Sequence, residues 1–246
     1  MSIWGKIIGG AAGLALGGPL GALIGAAAGH AVDKMTSVPS EIPIDEEAAT
    51  RKIAFTIGVI VLSAKMAKAD GVVTRDEIAA FREVFRVPPD ETRNVGRVWD
   101  LARKDVAGFE VYAQQIAKLF NTGSPVLEEL LGSLLHIAKA DGVVHANEVA
   151  YLQSIAEIFG FDRLAFQRLL SVYGAGPGDD PYGTLGVEPG ASNDQVKATY
   201  RKLIRENHPD RLIAQGMPEE FVRQANDKMA AINAAYDVVA KGRGMN

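Results

Sequence analysis

The sequence predicts an all-α protein in three parts: a glycine-zipper transmembrane helix, a helical bundle with an internal two-fold repeat, and a C-terminal helical hairpin. Three observations carry this reading. Glycine stands at 5, 9, 13, 17, 21, 25 and 29, and no charged side chain falls between Ile7 and Gly29. The heptapeptide Ala67-Lys68-Ala69-Asp70-Gly71-Val72-Val73 recurs unchanged from Ala138 to Val144. Apolar residues keep helical spacing from about Ala48 to Val172, and again on both sides of His208-Pro209-Asp210. The expected division is a membrane segment at 1–34, a linker at 35–47, the bundle at 48–172, a glycine-rich hinge at 173–179 and the terminal module at 180–246.

In the first part, twenty-three uncharged helical residues would span about 35 Å, enough to cross a bilayer core. Glycine at every fourth position leaves a smooth groove down one face, which lets a second helix approach closely. Membrane contact is therefore expected through residues 5–30, with a possible homodimer through Gly9, Gly13, Gly17, Gly21 and Gly25. Two alternatives stay open. One is a cleaved leader with small residues at Ala26-Ala27-Ala28. The other is a re-entrant hairpin turning at Gly17-Gly18-Pro19. The flanking charges, Lys6 before and Asp33 and Lys34 after, scarcely decide orientation.

Lys34 to Glu47, with Pro39, Pro43, Ser37 and Ser40, reads as linker. In the bundle each copy of the repeat is followed by a carboxylate at the same offset, Glu77 and Glu148, and then by an apolar helix. A helix, an Asp-Gly turn and a second helix, made twice, suggest two pseudo-symmetric halves. The pairs Asp70/Glu77 and Asp141/Glu148 raise the question of a hard cation. Each copy nevertheless offers few carboxylates, whereas a strong calcium loop places ligands at several alternate positions. The preferred expectation is that Gly71 and Gly142 make the turn and the acids cap the next helix, with no metal bound. Trp99, Phe109 and Tyr112 are expected in the core.

In the terminal module, Ser192 and Gln195 form a capping box that starts a helix. Lys197, Arg201 and Arg205 follow at four-residue spacing and share one face, while Val196, Tyr200, Leu203 and Ile204 mark the buried side. Pro209 disfavours the α conformation at His208, which ends the helix at a set point. Pro218 suits the start of a second helix, whose seam of Ala225, Met229, Ile232, Tyr236 and Val239 is expected to pack against the first. His208-Pro209-Asp210 would then stand at the mouth of the connecting loop. Taken singly, the tripeptide could be an ordinary helix stop and the basic stripe an ordinary solvated face.

The flanking residues change that balance. Asp180-Pro181-Tyr182 with Leu185-Gly186-Val187, then Tyr200-Arg201-Lys202-Leu203, His208-Pro209-Asp210 and Ile232-Asn233-Ala234-Ala235-Tyr236, resemble the J-domain of DnaJ-type co-chaperones, in order and over the whole module. The middle region resembles the TerB fold. All three parts together look like a membrane-anchored DnaJ-like protein of Gram-negative bacteria. The resemblance implies a DnaK-type chaperone as partner, whose ATP hydrolysis the J-domain stimulates. It makes His208, Pro209 and Asp210 the trigger and Lys197, Arg201 and Arg205 the docking face, with Lys202 a weaker member. A cytosolic ATP-using partner would put the body of the chain on the cytoplasmic side of the inner membrane, on a single-pass anchor. Asp210 could accept a bidentate pair from an arginine. The cationic stripe would steer an acidic surface, acting more on rate and orientation than on affinity.

Composition bounds the rest. With no cysteine there is neither disulfide nor zinc ribbon, and the Gly/Phe-rich and cysteine-rich segments of general-purpose DnaJ proteins are missing. Residues 35–179 carry 15 basic and 20 acidic side chains and residues 180–246 nine of each, so neither is the net basic domain of a nucleic-acid binder. No nucleophile, base and orienting group come together in the pattern, so no enzymatic activity and no cofactor are expected. A competing reading is an envelope-stress scaffold whose middle domain binds metal or a protein.

Overall fold

One helix is buried on every side, and the rest of the bundle is arranged around it. In a computed structural model, which describes residues 18–22, 46–70, 79–82, 92–104, 108–173 and 180–245, this is α1, Glu46–Asp70. Every residue from Ile53 to Ala67 is buried. Their sequence is apolar around the whole circumference, and such a helix must be covered all round. Of its buried hydroxyls, that of Thr56 donates to the Lys52 carbonyl at 3.0 Å, whereas that of Ser63 has no hydrogen-bond partner among the described residues. The Lys65 ammonium lies 5.2 Å from the centre of the Tyr112 ring.

Packed against α1 are α2 (Thr92–Lys104), α3 (Phe109–Phe120), α4 (Pro125–Ala138) and α5 (Ala146–Ile158), followed by α6 (Arg163–Val172). The aromatic residues serve the core, as their spacing predicts. Tyr112 is buried, Trp99 meets Phe81 edge-on at 5.0 Å, and Phe109 meets Tyr151 at 4.5 Å. Burial holds the Tyr151 hydroxyl well above its ordinary pKa, and it donates to the Leu62 carbonyl at 2.8 Å.

The second copy of the repeat is a turn and a cap. Asp141 accepts from the Val143 N–H at 3.1 Å, and Gly142 takes a φ of +97°, a conformation that glycine adopts readily. Glu148, at the third position of α5, accepts from the His145 N–H at 2.8 Å in a capping box. Among the described residues no group of three His, Cys, Asp or Glu is placed to hold a metal ion. The first copy beyond Asp70, with Gly71 and Glu77, lies outside the described residues, as do residues 174–179 of the hinge expected at 173–179.

The terminal module comprises α7 (Pro181–Leu185), α8 (Asn193–Glu206), α9 (Pro209–Ala214), a 3-10 turn at Glu219–Phe221 and α10 (Val222–Arg243). A small core of Leu185, Val196, Leu203, Ile232, Ala235 and Val239 joins α7, α8 and α10. Arg243 closes it: its guanidinium donates to the Tyr182 hydroxyl and to the carbonyls of Ala191 and Pro189. The seam expected along α10 is divided. Ile232 and Val239 face α8, but Ala225 lies in the bundle's core together with Leu212, Met217 and Phe221. Phe221 meets Phe55 of α1 at 4.7 Å, so the first turns of α10 pack on the bundle and only the later ones on α8. Pro218 precedes the 3-10 turn, and the long helix begins four residues later.

Among the described residues no helix is long and apolar enough to cross a membrane. Of the glycine run only residues 18–22 are described. They are helical, with Leu20 buried and its N–H donating to Gln115 Oε1 of α3 at 3.0 Å. Gly18 takes a left-handed φ of +57°, at the point where a re-entrant hairpin would turn. The remaining glycines of the zipper lie outside the described residues.

Candidate partner-docking site

α8 is built to hold one face outward. Ser192 accepts from the Gln195 N–H at 3.2 Å while Gln195 accepts from the Ser192 N–H at 2.8 Å, so two otherwise orphan donors are satisfied at its start. Val196 and Leu203 anchor it in the module's core. Arg201, Lys202 and Arg205 are exposed, whereas Lys197 is half-buried. Tyr200 and Ile204, expected on the buried side, are half-buried at its margin. The Tyr200 ring stacks on Tyr236 at 3.9 Å, and its hydroxyl donates to Asn233 Oδ1 at 2.9 Å.

The tripeptide sits at the start of a helix rather than at the mouth of an open loop. Asn207 caps the end of α8, where its buried side-chain amide donates to the Leu203 carbonyl at 2.8 Å. His208, extended at φ −64° and ψ 129°, is the N-cap of α9, with Pro209 at its first position. His208 Nδ1 accepts from the Asp210 N–H at 3.3 Å and lies 3.8 Å from Asp210 Oδ2. The imidazole is therefore steadied by its own turn and still half exposed, at 51%, while the Asp210 side chain is 90% exposed. A carboxylate so presented can accept a donor pair from outside.

A shallow groove of about 470 Å³ brings Arg201, Arg205, His208 and Asp210 together with Tyr200, Ile204 and Arg211. Lys197 and Lys202 do not line it, and Pro209 contributes through backbone geometry. Arg211 is the residue that the sequence pattern missed. It adds a third guanidinium to the groove because α9 continues past Asp210. Its only signal in the sequence was its place next to the tripeptide.

Comparison with known proteins gives the same three parts. Residues 1–51 match the co-chaperone DjlA transmembrane domain, residues 56–171 the tellurite resistance protein TerB, and residues 180–243 the DnaJ domain. Proteins named co-chaperone protein DjlA align along nearly the whole length. The one from Photobacterium profundum is 29% identical over 278 residues, covering 98% of this chain and 99% of its own. That of Shewanella oneidensis is 29% identical over 261 residues, with both chains fully covered. That of Escherichia coli is 26% identical over 271 residues, with 99% of each covered. No solved structure matches the chain. The chain thus carries a DjlA-type transmembrane domain, a TerB domain and a DnaJ domain in that order, and resembles the proteins named co-chaperone protein DjlA from end to end.

Proposed function

We propose that this protein is a membrane-anchored J-domain co-chaperone that recruits a DnaK-type chaperone and stimulates its ATP hydrolysis at the cytoplasmic face of the bacterial inner membrane. The observation that carries the reading is the exposed His208–Asp210 turn, held at the start of α9 beside Arg201, Arg205 and Arg211. Three guanidiniums attract and orient an acidic surface, and a preordered turn loses little freedom when it docks. The chain contributes no catalytic chemistry of its own. It changes the rate of a reaction carried out by the partner.

The test is single-turnover ATP hydrolysis by a DnaK-type chaperone, with the full chain held in lipid nanodiscs. Wild type is expected to accelerate the turnover, and Asp210→Asn to abolish the acceleration without altering the circular dichroism spectrum. Equal acceleration by the variant would reject Asp210 as trigger. No acceleration by wild type would leave the J-domain as a docking module only.

The glycine face is proposed to pair two copies within the bilayer. Leucine at Gly13, Gly17 and Gly21 should remove crosslinked dimer from membranes, because the added side chains hold the helices apart. Undiminished crosslinking would reject the pairing.

A further inference from the structure

The face of α10 turned away from α8 carries a lysine that the docking site does not use. Lys228 is fully buried between two adjacent carboxylates of α4. Its Nζ lies 2.6 Å from Glu129 Oε1 and is also ion-paired with Glu128. The second oxygen of Glu128 lies 2.5 Å from Nη2 of Arg168 on α6. One turn earlier on α10, Gln224 meets the Ser133 hydroxyl of α4 at 2.7 Å. Three helices are thus tied by four charged side chains, and α10 and the turn before it also place Ala225 and Phe221 in the bundle's core.

Adhesion alone does not require these charges, since apolar residues of like volume usually hold such an interface equally well. Directional bonds do something that apolar contact does not, which is to select one register. The trigger hangs from the same joint. Leu212, four residues beyond His208, is fully buried in the bundle's core. At Gly216, with φ +107°, a Cβ would come within 2.6 Å of Arg51 Cβ on α1. α9 is therefore fastened to the bundle at its C-terminal end, and α10 is fastened by Lys228.

We infer that Lys228, with Glu128, Glu129 and Arg168, is a positioning joint that holds the J-domain and its His208–Asp210 trigger in one orientation on the middle domain, and that stimulation of the partner depends on that orientation. The dependence rests on the function proposed above; the joint does not. A chain whose trigger is correctly aimed for only a fraction of the time binds its partner more weakly by that fraction, yet once bound acts at the full rate.

The chain has no cysteine, so Leu164→Cys and Val238→Cys, at positions 68% and 60% exposed, give two specific spin-label sites on α6 and α10. In the full chain in nanodiscs, wild type should give one narrow distance distribution. Lys228→Met should broaden it. The same variant should raise the half-maximal concentration for ATPase stimulation by roughly tenfold while leaving the maximal rate unchanged. Lys228→Met with Glu129→Leu should restore both readouts, because an apolar pair replaces the ion pair and Glu128 keeps Arg168. Asp210→Asn should lose the maximal rate with its distances unchanged. A distribution that stays narrow in Lys228→Met would overturn the joint. A broadened distribution with an unchanged stimulation curve would overturn its role. If Lys228→Met does not fold, Ser133→Ala with Gln224→Ala loosens the rim of the joint and is judged on the same two readouts. Absence of stimulation by wild type would overturn the functional reading and this dependence with it, while the distances would still judge the joint.

Discussion

Glu128 and Glu129 are neighbours in sequence and both buried, yet their carboxyl groups are pushed in opposite directions. Burial raises both. At Glu128 the charges of Lys228 and Arg168 more than offset that and hold its pKa down to about 2, from an ordinary 4.5. At Glu129 burial outweighs Lys228, and the carboxyl is raised. The consequences for stability have opposite signs. The contribution of Glu128 is complete above its unfolded value of 4.5 and is lost as pH falls toward 2. That of Glu129 is complete below 4.5 and is lost as pH rises. Glu128→Gln removes the first contribution, so the stability gap between wild type and variant should shrink by up to about 3 kcal/mol between pH 5 and pH 2. Urea unfolding across that range checks it, and a constant gap would reject the assignment. Lys228 itself was not legible in the sequence. A lysine among apolar residues of a helix reads as solvated, and its carboxylate partners lie about a hundred residues away.

Single elements were legible where local chemistry is decisive. The capping box at Ser192 places the start of α8, and Pro209 places its end. Ser192→Ala should cost about 1 kcal/mol, because the Gln195 N–H loses its acceptor. Thermal unfolding measures the cost, and an unshifted midpoint would mean that solvent replaces the cap without loss. α9 was not legible. Six residues are too few to show a helical period, and Pro209 reads equally well as the end of one helix or the first residue of the next. With α9 missed, Arg211 was missed as well. The Asp-Gly turn and acidic cap of the second repeat were legible because Asp141, Gly142 and Glu148 act only on their near neighbours.

For the whole molecule, the sequence by itself determined the helical class, the order of the parts, the basic face of α8 and the break at His208-Pro209-Asp210 that ends it. Each of these follows from residue types at short spacing, where period, capping and turn chemistry are local. Only the tertiary structure decided that α10 is shared, its first turns against the bundle and its later turns against α8. It alone placed Leu212 and Phe221 in the bundle's core and sank Lys228 between Glu128 and Glu129. An apolar stripe states that a helix must be covered but not by what. Burial is non-directional, and which of several apolar faces meet is settled only when the whole chain packs at once.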